Sequence, residues 1–123
     1  TAYRRQRQMC IRDSTSFSQL RSLSEAYKIM QLQGQNLDPF KSLYLATLGS
    51  ARALYLDERI GNFEPGKDAD FVVLDYQATP LIDYRLQQSS NLAERLFALI
   101  TLGDDRVIRE TFAAGNSVHR RDD

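Results

Sequence analysis

At 123 residues the chain is long enough for one ordinary domain and too short for two domains with separate hydrophobic cores. Its composition, 42% hydrophobic and 26% charged with a formal net charge of zero, is typical of a soluble globular protein. No apolar run approaches the ~18–20 residues of a membrane-spanning helix, which argues against a membrane role. The start lacks the apolar stretch of a secretory signal, and a single cysteine cannot form an internal disulfide, so we expect a cytoplasmic protein.

Residues 1–14 differ in composition from the rest of the chain. Residues 1–13 contain four arginines and one aspartate, a net charge of +3, and show neither helical nor strand periodicity. Such a start is compatible with an arm that binds nucleic acid or phosphate. The run RRQRQMCIRDS, however, resembles translated sequencing-adapter sequence, so we predict that residues 1–14 are foreign to the natural protein. Neither Cys10 nor Asp13 is then a nucleophile or a metal ligand, and no nucleic-acid partner is expected.

The first predicted helix covers residues 18–33. Apolar side chains recur at spacings of three and four, at Leu20, Leu23, Tyr27 and Met30. Ser16 or Ser18 can serve as its N-cap, and Gly34 is a natural stop.

A second predicted helix starts at Asp38-Pro39, an N-cap followed by proline at the first helical position. A broad apolar face makes it a mostly buried helix that continues to about Leu56. Gly49 lies inside it, and we expect this glycine to allow close packing against a neighbour.

The periodicity changes after residue 60. Pro65-Gly66 fits the central pair of a type II turn. Phe71–Leu74 is a short apolar, β-branched run that predicts a buried strand. Residues 76–90 are polar enough to predict a loop with at most a short helical piece.

A third helix and a hairpin complete the predicted order. The helix begins after the N-cap Asn91 and stops at Gly103. Alternation from Val107 to Phe112 predicts a strand, Gly115-Asn116 the hairpin turn, and the charged last residues are predicted to fray. Three short strands cannot close a sheet alone, so the chain is best understood as part of a larger α+β structure.

Residue patterns that carry chemistry are mostly missing. His119 is the single histidine, too little for a metal cluster or a hydrolytic triad, and we interpret it as a surface residue. No glycine-rich phosphate loop is present. Asp68 and Asp70 could form an acid/base pair, but we favour a role in holding a tight corner through hydrogen bonds to the backbone.

Two stretches resemble a known family. The run GNFEPGKDADFVVLD, residues 61–75, resembles a C-terminal signature of the amidohydrolase superfamily, and residues 15–121, beginning TSFSQLRSLSEAYKIMQLQGQNLDPF, are similar to bacterial guanine deaminases. The resemblance implies an α+β fragment that combines terminal helices of a (β/α)8 barrel with C-terminal strands of a small β-sandwich. The implied organisation is 1–14 as the foreign segment, 15–60 as the last barrel helices, and 61–121 as the C-terminal part with sandwich strands and one helix.

The resemblance also implies the chemistry of the parent enzyme. In that family a His-x-His pair, two further histidines and an aspartate hold zinc, and zinc-bound hydroxide displaces the amino group of guanine to give xanthine and ammonia. These residues would lie upstream, so we assign no catalytic, substrate-binding or metal residue here, and we expect this chain alone to bind no zinc, to be inactive and to be poorly soluble. The parent is expected to be a homodimer. The residues expected closest to the active-site rim are Thr15, Ser16, Phe17 and Ser18.

Two alternatives remain open. The parent could be another amidohydrolase-superfamily deaminase or chlorohydrolase that acts on an aminated heterocycle such as 8-oxoguanine, cytosine or a triazine. The chain could instead be a stand-alone module that binds a partner without catalysis. Upstream histidines would discriminate against the module, whereas a genuine start codon close to Thr15 would favour it.

Overall fold

The structure, a computed structural model, describes residues 18–122. The predictions for residues 1–14 and for Thr15, Ser16 and Phe17 concern residues outside this part. The elements in chain order are α1 (Gln19–Leu32), α2 (Pro39–Ala46), α3 (Leu48–Ala53), β1 (Phe71–Leu74), α4 (Pro80–Gln87), α5 (Leu92–Leu102), a 3-10 turn (Asp105–Val107), β2 (Ile108–Ala113) and β3 (Asn116–Arg120). In this part of the chain, none of the helices combines the length and hydropathy needed to cross a membrane.

The first helix agrees with its prediction. The side chain of Ser18 caps α1 by accepting from the Arg21 amide, at 3.5 Å. Gly34 follows the last turn with φ +71°, and the Gln35 amide bonds back to the Met30 carbonyl, at 2.9 Å. The apolar stripe of α1 therefore begins and ends where its capping residues predict.

The predicted single helix from Asp38 to about Leu56 is wrong, because the chain breaks at Thr47. Asp38 does cap α2, accepting from two amides at 2.9 and 3.1 Å. Thr47, with φ −117° and ψ −100°, then leaves the helical region and separates α2 from α3. Its hydroxyl donates to the Leu43 carbonyl at 2.7 Å, a local bond that competes with regular helix propagation at a β-branched residue.

The end of α3 is a Schellman motif with tyrosine in the position that glycine usually occupies. The Leu56 amide bonds the Ala51 carbonyl at 2.9 Å, and the Tyr55 amide bonds the Arg52 carbonyl at 3.1 Å. Tyr55 adopts φ +59° to close this pattern. The helix therefore stops at Ala53, earlier than predicted.

Burial along α2 and α3 also differs from the predicted broad apolar face. The positions that are buried carry small side chains: Ser42, Gly49, Ala51 and Ala53. The burial of Gly49 agrees with the close packing predicted for it. Phe40 and Leu54 are about half exposed, because the packed side of these helices is the side with small residues.

One hydrophobic core joins α1, α4, α5 and the turn before β2. Its buried members are Leu20, Leu23, Ile82, Leu86, Ala98, Leu99, Ile100 and Val107. Helix α4 lies in the segment predicted to be mainly loop; Thr79 caps it, with its hydroxyl 3.3 Å from the Ile82 amide, and Pro80 follows at the first helical position. Residues on both sides of the predicted boundary at residue 60 share this core, and the boundary itself stays a prediction.

The three strands described form one antiparallel sheet in the order β1-β2-β3. Phe71 pairs with Phe112, and Thr111 pairs with His119. Strand β1 has the predicted bounds but is not buried, since Val72 and Val73 are both exposed. Only Leu74, at the end of β1, packs against the helical core.

The hairpin turn lies one residue earlier than predicted. Ala114 and Gly115 form it, both with positive φ (48° and 77°), while Asn116 already belongs to β3. Two consecutive positive φ values are those of a type I′ turn, whose twist matches that of the flanking strands. The predicted fraying after β3 is wrong for Arg121, whose amide bonds the Arg109 carbonyl at 2.9 Å.

Candidate functional site

Ser18 is the described member of the predicted active-site rim, and it serves the helix start. Besides capping the Arg21 amide, it offers its carbonyl to the amide and hydroxyl of Ser22, at 3.1 and 3.2 Å. These bonds fix where α1 begins. A role of Ser18 in lining a substrate pocket stays a prediction.

A groove of about 340 Å³ lies beside α1, between this helix and the end of α5. It is lined by Arg21, Ser24, Glu25, Lys28, Thr101, Leu102, Gly103 and Asp104. Lys28 pairs with Glu25 at 2.7 Å, and Asp104 pairs with Arg106 at 2.7 Å. The two carboxylates of the groove are thus already paired with cations.

Asp104 is held in its charged form. Arg106 donates side-chain hydrogen bonds to both carboxylate oxygens, which holds the pKa of Asp104 below its usual value, against the smaller opposing effect of burial. A carboxylate held ionised in this way is poorly suited to carry a proton near neutral pH. Asp104 is therefore a poor candidate for a general acid.

The residues of 18–122 do not assemble a metal site, since no group of three or more His, Cys, Asp or Glu side chains converges there. His119 lies on the exposed strand β3, opposite Thr111. A catalytic zinc needs three protein ligands around an open position. This part of the chain does not fit such a centre, and no chemical step through a metal can be derived from it.

The family-signature run at residues 61–75 has a structural role, because it connects the sheet to the helices. Gly61 has φ +107°, and a Cβ there would lie 2.9 Å from the Ala51 Cβ and 3.0 Å from the Leu48 Cα. Real side chains do not tolerate such distances. Glycine is therefore required where the loop crosses α3.

The predicted turn at Pro65-Gly66 is confirmed. Gly66 has φ +94°, and the Lys67 amide bonds the Glu64 carbonyl at 3.2 Å. Lys67 also reaches the Glu64 carboxylate at 2.9 Å, which lowers the pKa of Glu64. The turn places the following aspartates at the start of β1.

Asp70 fixes a tight corner, as predicted. Its carboxylate accepts from the Ala114 amide at 2.8 Å, across 44 residues of sequence, and the Gly115 amide bonds the Ala69 carbonyl at 3.0 Å. Asp68 points to a different partner, the guanidinium of Arg59 at 3.1 Å. The two carboxylates thus serve as structural acceptors with separate partners, and the geometry does not favour an acid/base pair.

An aromatic stack joins the loop to the sheet. The rings of Phe71 and Phe112 stack with centroids 4.4 Å apart, and Phe63 of the loop lies 6.0 Å from Phe71. These aromatic residues make contacts of the kind found in a protein core, although Phe63 remains 81% exposed.

The sequence pattern did not reveal the ion pair between Asp75 and Arg121, whose oxygen and nitrogen lie 2.6 Å apart. Arg121 donates to the carboxylate, which lowers the pKa of Asp75, and the Gln77 amide adds a second bond at 2.8 Å. Because the partners are 46 residues apart, no local pattern connects them.

Comparison with known proteins gives a consistent result. The model of the Amidohydrolase family matches residues 8–118. The chain is 51% identical to guanine deaminase of Escherichia coli strain K12 over 107 residues, which are 87% of this chain and 24% of that protein. It is 36% identical to a probable guanine deaminase of Deinococcus radiodurans over 111 residues, covering 88% of this chain and 25% of the relative.

A solved structure of E. coli guanine deaminase superimposes with a TM-score of 0.86 at 50% identity, covering 89% of this chain and 26% of that structure. This chain therefore spans about a quarter of the length of the relatives that it matches. The family match begins at residue 8, and the origin of residues 1–14 stays a prediction.

Proposed function

The chain belongs to the amidohydrolase family, and we propose that the complete protein containing it is a guanine deaminase that hydrolyses guanine to xanthine and ammonia. The observation that carries this proposal is the 51% identity to the E. coli guanine deaminase. The superposition at a TM-score of 0.86 agrees with it.

Hydrolytic deamination requires that a water oxygen bonds to the ring carbon while the amino group leaves as ammonia. A zinc ion, when bound, would supply the activated water by lowering its pKa. Residues 18–122 contain no converging set of three metal-ligand side chains, which supports the proposal that the zinc ligands lie elsewhere in the complete protein. The family resemblance implies the same for the purine-contacting residues. We further propose that this enzyme is a cytoplasmic homodimer that binds neither nucleic acid nor membrane.

In this proposal the chain supplies support for the active site. Residues 15–60 would be the last helices of the barrel, and residues 61–121 would be the C-terminal part with sandwich strands. The capped start of α1 at Ser18 fixes where the chain enters this region, and the loop at Gly61 packs directly on α3. Both features favour a rigid scaffold, which precise substrate positioning requires.

The test is to sequence the source DNA upstream of the Thr15 codon and to express the complete protein. Ammonia release would be measured with guanine, 8-oxoguanine, cytosine and an amino-substituted triazine, and xanthine formation with guanine. We expect kcat/KM for guanine to exceed that for each of the others by at least about 100-fold. Preference for another heterocycle would refute the guanine assignment while leaving the family intact. A start codon at Thr15 with no upstream reading frame would instead support the partner-binding module.

A matched experiment uses this chain directly. Residues 18–122 would replace the corresponding segment of the E. coli enzyme, and the 123-residue chain alone would be assayed beside the chimera. We expect a chimera with kcat/KM within about tenfold of the E. coli enzyme, because both backbones follow the same path, and no activity from the chain alone. A folded but inactive chimera would count against the proposed supporting role.

A further inference from the structure

Arg121 contacts three separate segments where the sheet meets the helical core. One guanidinium nitrogen donates to Asp75 at the end of β1, at 2.6 Å. The other donates to the carbonyl of Arg106 in the 3-10 turn. Its own amide bonds the carbonyl of Arg109 in β2, at 2.9 Å.

These contacts lie where β1 and the 3-10 turn meet, next to residues of the hydrophobic core. Val107, next to Arg106, is fully buried, and its carbonyl accepts from the Asp75 amide at 2.7 Å. Leu74, next to Asp75, packs against the same core. Any group that ties Asp75 to the 3-10 turn therefore holds the sheet against the helices.

We propose that Arg121 is a C-terminal latch, formed with Asp75 and the carbonyls of Arg106 and Arg109, that holds the returning strand and the end of β1 on the helical core. Opening the latch releases β3 from β2 and loosens the Asp75–Val107 hydrogen bond, while α1 and α5 stay folded. It is a conformational device and does not depend on the proposed enzymatic activity.

The chemistry of arginine suits this role. A planar guanidinium presents two fixed donors to two different acceptors, which a lysine ammonium on a flexible stem does not reproduce. The pair is also sheltered, with side-chain exposures of 29% for Arg121 and 20% for Asp75. Arg120, by contrast, is 73% exposed, and its guanidinium bonds Glu110 in β2.

Amide hydrogen exchange of the chimera described above, in which residues 18–122 replace the corresponding segment of the E. coli enzyme, tests the latch. In Arg121→Ala we expect exchange of the Asp75 amide and of the β3 amides to rise by about tenfold or more, because local opening no longer breaks a charge-assisted bond. Amides inside α1 serve as the internal control and should change by less than about twofold. Arg120→Ala is the matched control and should leave the Asp75 amide within about twofold of wild type.

Two further variants provide the same test if the alanine variant does not fold. Arg121→Lys and Asp75→Asn keep the side-chain volumes similar, and each should give the same regional pattern at smaller amplitude. The latch is refuted if Arg121→Ala and Arg120→Ala behave alike, or if the α1 amides accelerate as much as those of β3. If Arg121→Ala does not fold, the exchange rates of Arg121→Lys and Asp75→Asn are compared with those of Arg120→Ala in the same way.

Discussion

Tyr55 is strained where glycine would not be. A left-handed φ of +59° costs a residue with a Cβ about 1–2 kcal/mol, and the Schellman motif at the end of α3 imposes it. The side chain is 82% exposed, so burial recovers little of this cost within residues 18–122. The strain is local, and a single substitution can remove it.

We expect Tyr55→Gly to raise the free energy of unfolding by about 0.5–1 kcal/mol, because glycine adopts positive φ freely but loses more entropy on folding. Urea unfolding followed by circular dichroism measures this. Tyr55→Ala is the control, since it removes the ring and keeps the strained Cβ. If alanine stabilised the chain as much as glycine, the ring and not the backbone would be responsible.

The ion pair of Asp75 also makes stability depend on pH. Arg121 lowers the pKa of Asp75 in the folded state, so the pair contributes its full stabilisation above the ordinary carboxyl pKa of about 4 and loses it as pH falls below that value. The difference in unfolding free energy between wild type and Asp75→Asn should therefore be largest above about pH 5 and shrink towards pH 2. Urea unfolding at several pH values would show this.

Asp57→Asn is the control for the pH series. Asp57 pairs with Arg52 at the longer distance of 3.8 Å and with more exposed side chains, so its substitution should have a small effect at every pH. A difference for Asp75→Asn that does not vary with pH would show that its carboxylate is not selectively stabilised.

At the scale of elements, the corner before β1 joins the loop that contains Pro65-Gly66 to the hairpin turn between β2 and β3. Asp70 reaches the hairpin turn, whereas Asp68 reaches the exposed guanidinium of Arg59. The two aspartates lie two positions apart and both bonds are exposed, so the pair compares a bond across 44 residues with one across nine.

We expect Asp70→Ala to lower the free energy of unfolding by about 0.5–1.5 kcal/mol, because the exposed Ala114 amide exchanges a charged acceptor for water. Asp68→Ala should cost less than about 0.5 kcal/mol, since exposed ion pairs contribute little. Thermal unfolding of both variants makes the comparison. Equal losses would place the stabilising role elsewhere in the loop.

Local chemistry predicted most of these elements. Caps at Ser18, Asp38 and Asn91 placed three helix starts correctly, and Pro65-Gly66 placed the turn, because each signal acts within a few residues. At Thr47 the backbone leaves the helical region between two segments that are each helical. Apolar periodicity continues across this residue and so predicts one helix.

The hairpin and the candidate site show the same limit. The sequence predicts Gly115 as the first turn residue. In the structure Ala114 precedes it in the turn with positive φ, and the Ala114 amide donates to Asp70. The contact of Asp75 with Arg121 and the close approach of Gly61 to Ala51 likewise depend on tertiary arrangement. Spacing along the chain carries no information about such contacts.

For the whole molecule, large apolar side chains remain on the outside of the described part. They include Ile29, Leu32, Phe40, Leu54, Tyr55, Phe63, Leu81, Tyr84 and Leu92. Several occur near one another in sequence at residues 54–63, where Tyr55 and Phe63 are each more than 80% exposed. Exposed apolar side chains that adjoin one another favour association.

We expect the 123-residue chain to self-associate at micromolar concentration and the double variant Tyr55→Lys, Phe63→Lys to do so about tenfold less. Light scattering after size-exclusion chromatography measures the effect. Gln35→Lys with Gln88→Lys, at two exposed positions outside residues 54–63, adds the same number of lysines and the same net charge as a control. Equal improvement in both variants would assign the effect to net charge.

The pairing of β1 with β2 also determines when the sheet can form during synthesis. Roughly forty residues separate Leu74 from Ala113, which at about 5–20 residues per second corresponds to a delay of about 2–8 s. During that interval Phe71–Leu74 is an apolar, β-prone segment without its partner strand. Asp70 and Asp75 flank it on both sides, so the carboxylates that later bind Ala114 and Arg121 first act as charged gatekeepers against premature aggregation.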